Sequence, residues 1–230
     1  MMLKGESKRK KSNLPMNSFQ YVSSFLVLTV ALVIFTGTFN TVLAKNVTLK
    51  IQTAWAPAVP ILGDTLAVLA ENVEMISGGE LKLKIYEPKK LAPTLEIFDA
   101  VSAGVIDGGW AYPGYWVGKN SAINIFAATP FGPTADAALA WYYQGGGMEL
   151  WQQAYAPFGL VPTAAGNTGV QMGGWFNKEI NSVDDLKGLK MRIPGLGGEV
   201  LKRAGGTPVN LPGGDLFTAL QPWGFPSSGV

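Results

Sequence analysis

An α/β fold in two lobes is predicted for this 230-residue chain. Three observations predict it. Segments of period two alternate with segments of helical period along residues 47–110, in the order strand, helix, strand, helix, strand; that order argues for helices layered on a parallel sheet. The same rhythm resumes after residue 182. The composition, 47% apolar and 15% charged, supplies a real core and is not that of a disordered chain.

The N-terminus reads as a targeting segment. Lys8, Arg9, Lys10 and Lys11 precede an apolar stretch over residues 25–35, and Val42 and Ala44 stand as the short residues before a cleavage site at Lys45. Residues 1–44 are therefore expected to be a signal peptide. The competing reading is an uncleaved anchor, but the apolar core is short for a bilayer span of roughly 20 residues. Five of the 18 basic residues and one of the 16 acidic ones lie in this segment. The remainder carries 13 basic against 15 acidic residues, a net charge of −2, so no basic surface for nucleic acid is expected.

Residue types that are missing narrow the chemistry. The sequence has no Cys and no His. Disulfides, thiolate zinc sites, a cysteine nucleophile, a Ser-His-Asp triad and histidine metal sites are excluded. Carboxylate or lysine chemistry remains, or binding without chemistry.

The elements follow in order. Residues 47–51 and 81–85 alternate as strands. Residues 61–76 carry Leu62, Leu66, Leu69, Val73 and Ile76 near helical spacing, stopped by Gly78 and Gly79. Residues 94–103 form a second helix with Thr94 as its cap and Gly104 as its stop. A third strand or turn at 105–107 leads to Trp110. Residues 135–143 and 149–155 read as short helices, and 160–161 and 170–172 as strands. Residues 182–186 form a capped helical turn, 189–193 a strand, 199–204 a helix, 208–210 a short strand and 214–220 a helix. The lobes divide into residues 45–165 and residues 166–230, the second being partial. Its last residues, 222–230, are atypical: Pro222 stops the helix and nothing follows that would close a lobe.

Two features could carry function. Arg192 sits at the C-terminal end of a strand, before Gly195, Gly197 and Gly198 and a helix. Open α/β sheets bind ligands at such strand ends, and a guanidinium fork matches a carboxylate. A surface Arg paired with Asp184 or Asp185 is the competing reading. The glycines do not fit a dinucleotide fingerprint, because Val200 stands where the third Gly should be. Aromatic residues gather at Trp110, Tyr112, Tyr115 and Trp116, which suits either a small-molecule wall or core packing.

The segment Gly166-Asn-Thr-Gly-Val-Gln-Met-Gly-Gly-Trp-Phe176, with the run Asp185-Leu-Lys-Gly-Leu-Lys-Met-Arg192, resembles the extracytoplasmic solute receptors of TRAP transporters, in their 2-oxo-acid-binding branch. Residues 95–104 and 115–119 resemble the same family, and the likeness spans about residues 47–221. The resemblance implies a two-lobed, periplasmic-binding-protein-like fold and a periplasmic receptor that works with TRAP membrane permease subunits. It implies a small 2-oxo or 2-hydroxy monocarboxylate as ligand, gripped by Arg192, with sodium or calcium bound beside it and Gln171 touching the pair as a metal ligand. Asn167, Tyr115, Trp116 and Trp175 are the further ligand contacts it implies. Relatives continue past Gln221 into an Arg-Gly-x-x-Asp-like segment and an acidic–aromatic pair, so a fragment or a shifted reading frame is expected here. Two other readings stand beside the receptor: a truncated remnant that binds nothing, and an exported carboxylate-processing enzyme.

Overall fold

The structure, a computed structural model, describes residues 46–221. The expected signal peptide and the atypical tail lie outside them. Among the described residues no helix is long and apolar enough to cross a membrane.

The first sheet has three strands: β1 (Val47–Thr53), β2 (Leu81–Tyr86) and β3 (Gly108–Trp110). Their order is β2-β1-β3, and both pairings are parallel. The register runs from Val47 opposite Leu81 to Gln52 opposite Tyr86, and from Ile51 opposite Gly108 to Thr53 opposite Trp110. Parallel neighbours need crossover connections. α1 (Asp64–Ile76) supplies the first and α2 (Ile97–Ser102) the second.

α1 begins three residues later than its apolar periodicity suggests. Val59–Gly63 closes as a turn, with the Gly63 N–H on the Val59 carbonyl at 2.7 Å, so Ile61 and Leu62 precede the helix. It ends as expected. Gly78 and Gly79 have φ of 62° and 86°, and the Gly79 N–H reaches back to the Glu74 carbonyl at 2.8 Å, satisfying an orphan carbonyl of the last turn. Thr94 does not cap α2. The chain enters that helix through a 3₁₀ turn (Thr94–Glu96) preceded by Pro93, and the Thr94 hydroxyl is buried without a partner.

The core of this half is aromatic. Phe98 meets Trp116, Tyr155 and Phe158 at centroid distances of 5.4, 5.6 and 4.9 Å. Phe126, from the 3₁₀ segment Ser121–Phe126, lies between Trp141 and Trp151 with planes within 4°. These tryptophans come from α3 (Ala135–Gln144) and α4 (Gly147–Tyr155). Each such ring contributes about 1.5–3 kcal/mol by burial, so this cluster, with Ile97, Ile106 and Ile123, anchors the half. Burial also pushes the Tyr155 phenol up to about 12.

Gln52 is fully buried at the end of β1. Its amide donates to the Ala92 carbonyl at 2.7 Å, and its carbonyl accepts the N–H groups of Leu91 and Ala92 at 2.7 and 2.9 Å. One side chain thus satisfies three backbone groups of the loop that leads into α2.

The second sheet has two parallel strands, β4 (Lys190–Arg192) and β5 (Thr207–Val209), with Lys190 opposite Thr207 and Arg192 opposite Val209. α5 (Leu196–Arg203) crosses between them and buries Leu201. A 3₁₀ turn (Gly213–Asp215) and α6 (Leu216–Leu220) follow. The expected strands at 160–161 and 170–172 do not form. No strand pairs with them, and Val161 and Val170 stand 84% and 100% exposed. An apolar run without a neighbouring ladder leaves its backbone to water instead.

Gly195 links the halves by close approach. It has φ 70° and ψ −150° as the residue before α5, a region open essentially to glycine alone. A Cβ there would lie 3.1 Å from the Tyr112 hydroxyl and 3.6 Å from Asn124 Oδ1, a buried oxygen without a partner.

Two consequences are measurable by urea unfolding. Gln52→Leu strands three backbone groups and is expected to cost about 2 kcal/mol; an unchanged midpoint would contradict the bracket. Gly195→Ala is expected to cost about 1–3 kcal/mol for the backbone alone, with an unchanged denaturant slope; wild-type stability would show that the position is not constrained.

Candidate functional site

β4 is only three residues long, and its last residue is Arg192. The side chain is half-buried. Its Nε and Nη2 both donate to the Leu211 carbonyl, at 3.0 and 2.9 Å. Nη2 also donates to the Tyr115 hydroxyl at 3.2 Å, and the guanidinium carbon lies 6.0 Å from the Tyr115 ring centroid. No carboxylate pairs with Arg192 among the described residues. The alternative of a partnership with Asp184 or Asp185 is therefore not realised. Asp184 pairs with Lys187 at 2.7 Å. Asp185 accepts from the Ser182 hydroxyl and from the N–H groups of Ser182 and Asn181, and the Ser182 bonds above all hold its carboxyl below the usual range.

Tyr115 belongs to a 3₁₀ turn (Pro113–Trp116) that follows β3. Besides Arg192, its hydroxyl accepts the Gly213 N–H at 3.4 Å, and its carbonyl accepts the Asn210 amide at 3.1 Å. Segment 210–215 is thus strapped across to the first half. Asp215 adds an ion pair with Lys89 at 2.5 Å; both side chains are substantially exposed, so that pair contributes little. Tyr112 stands beside Tyr115, the rings edge to face at 5.5 Å. Burial raises the Tyr112 phenol above its ordinary value, with Tyr115 adding to the shift and Arg192 opposing it. It stays protonated and neutral at physiological pH.

Arg192, Tyr115, Trp116, Asn167, Gln171 and Trp175 all line one open cleft of 2980 Å³. That is several times the roughly 300–1,000 Å³ of an ordinary small-molecule pocket, so it is a cleft rather than an enclosed site. Within it the expected residues are not gathered equally. Arg192 and Tyr115 touch. Trp116 is 8% exposed and its indole donates to the Leu95 carbonyl at 2.7 Å, which places it largely in the core. Asn167 and Gln171 lie on an exposed irregular segment and bond within it: Asn167 Oδ1 accepts the Gly169 N–H, and Gln171 Nε2 donates to the Thr168 hydroxyl, each at 2.7 Å. Trp175 is 82% exposed.

Sequence reasoning missed the strap. The Leu211 carbonyl is a backbone atom and leaves no side-chain signature. Asn210 directly after β5 was a readable polar residue, but its partner, the Tyr115 carbonyl, lies 95 positions away.

A hard cation takes several oxygen ligands. Gln171 offers one neutral oxygen, and no group of three or more acidic side chains is gathered among the described residues. These residues alone do not make a cation site.

The family model for bacterial extracellular solute-binding proteins of family 7, DctP, matches residues 51–222. A monocarboxylate 2-oxoacid-binding periplasmic protein of Nostoc sp. is 43% identical over 178 residues, which cover 76% of this chain and 48% of that protein. A TRAP periplasmic solute-binding protein from Pseudoalteromonas atlantica, solved with sodium and pyruvate, is 46% identical with a TM-score of 0.75. One from Colwellia psychrerythraea, solved with calcium and pyruvate, is 47% identical with a TM-score of 0.74. Each structural match covers 77% of this chain and 54% of the solved chain. The chain spans about half the length of the relatives it matches. On the extent of the family match and the identity to these relatives, the chain belongs to bacterial extracellular solute-binding protein family 7.

Proposed function

We propose that this protein is the periplasmic substrate-binding subunit of a TRAP transporter, capturing a small 2-oxo or 2-hydroxy monocarboxylate for uptake through membrane permease subunits. Residues 1–44 direct export, residues 45–165 form the first lobe, and residues 166–230 belong to the second.

One observation carries this reading. Arg192 presents a guanidinium at the cleft, held by a backbone carbonyl and a phenol and paired with no carboxylate among the described residues. A half-buried cation without a protein counter-ion suits an anion, and the Nη1 donors, taken by no protein group among the described residues, can bond a carboxylate oxygen. The kinship with proteins solved holding pyruvate narrows the anion to a small keto acid. Tyr112 and Tyr115 would flank its apolar end with their rings.

A cation accompanies pyruvate in both solved relatives, sodium in one and calcium in the other. Gln171 would supply a neutral oxygen to such an ion after its segment folds inward, and Asn167 and Trp175 would move with it. The family to which the chain belongs is one of solute-binding proteins, which favours capture over turnover.

Calorimetric titration with pyruvate, with and without sodium or calcium, tests the proposal. Saturable binding is expected, weakened roughly 100-fold in Arg192→Ala through loss of charged hydrogen bonds. No heat of binding from a cooperatively folded chain, under all three ionic conditions, would contradict it.

A further inference from the structure

A guanidinium has five N–H donors in a rigid plane. In Arg192 the edge formed by Nε and Nη2 is closed by the Leu211 carbonyl. The second Nη2 bond goes to the Tyr115 hydroxyl. Nη1 donates to no protein group among the described residues. The phenol is itself fixed, because its oxygen also accepts the Gly213 N–H, and its ring is 6% exposed and packed edge to face on Tyr112 and Trp116. Its backbone is held as well, through the Asn210 amide.

These contacts are more than packing. Tyr115 and Arg192 are 77 positions apart, and Leu211 and Gly213 come from the same strap that Tyr115 pins. The carbonyl alone leaves the guanidinium plane free to swing about its Nε–Nη2 edge. A second acceptor, off that edge, fixes the plane.

Resting on the receptor reading above, we infer that Tyr115 is a positioning residue. Its hydroxyl locks the rotation of the Arg192 guanidinium and leaves the Nη1 end as the donor set for the ligand carboxylate. This assigns to the Tyr115 hydroxyl a role that an aromatic wall would not need. Tyr115→Phe keeps the ring and removes the lock, together with the long bond from the Gly213 N–H.

A double-mutant cycle with Arg192→Lys separates the roles. Tyr115→Phe is expected to weaken pyruvate binding about tenfold, the loss of one hydrogen bond to a charged group. In the Arg192→Lys background the same change should cost less than about twofold, because coupled residues do not add. Equal losses in both backgrounds would overturn the inference and leave a packing role. A second readout needs no ligand. The side-chain Nη2–H protons of Arg192 can be followed by NMR, and their hydrogen exchange is expected to quicken about tenfold in Tyr115→Phe, in proportion to the lost bond. Unchanged exchange would overturn the positioning role. If the wild-type chain binds no pyruvate, the receptor reading fails, while the exchange experiment still decides the lock.

Discussion

The site depends on how one positive charge is held. Arg192 donates its hydrogen bonds to the Leu211 carbonyl and the Tyr115 hydroxyl, neither of which cancels its charge. A carboxylate in either place would have made it a structural ion pair of small net value. The nearby acids are engaged elsewhere: Asp184 on Lys187, Asp185 in its own helical turn and Asp215 on Lys89. Among the described residues the charge therefore has no carboxylate partner.

Holding an arginine this way requires both halves of the described chain to be in place. Tyr115 is set by the turn that leaves β3, and that turn sits on the aromatic cluster around Phe98 and Trp116. Leu211 and Gly213 are set by the exit of β5. Gly195 lets the start of α5 come within reach of Tyr112 and Asn124 without a side chain between them. The core of the first half thus reaches the site through Tyr115, and the two-strand sheet reaches it through Arg192 at the end of β4 and through the strap that follows β5.

The strand and helix order over residues 47–110 was legible because its period is local: alternating Leu81–Ile85 became β2, and the Gly78–Gly79 pair ended α1. The place of Arg192 at a strand end was legible as well, because a strand followed by a glycine turn is a local pattern. What failed was set by distant partners. The strands expected at Val161 and Val170 have the composition of strands but no neighbour to pair with. Thr94 has the chemistry of a cap, yet Pro93 and a 3₁₀ turn take it away from the helix start. The expected ligand residues divide on the same line. Tyr115 meets Arg192, whereas Asn167 and Gln171 bond to their own short segment. The Leu211 carbonyl was invisible, since any residue carries one.

We propose that Arg192 is the seat of a small carboxylate. This is tested most directly by a crystal structure of the protein grown with pyruvate and sodium. The account predicts the pyruvate carboxylate within about 3 Å of the Arg192 guanidinium, at its Nη1 end, with the Leu211 and Tyr115 bonds kept. Pyruvate bound elsewhere in the cleft, with Arg192 untouched, would contradict it.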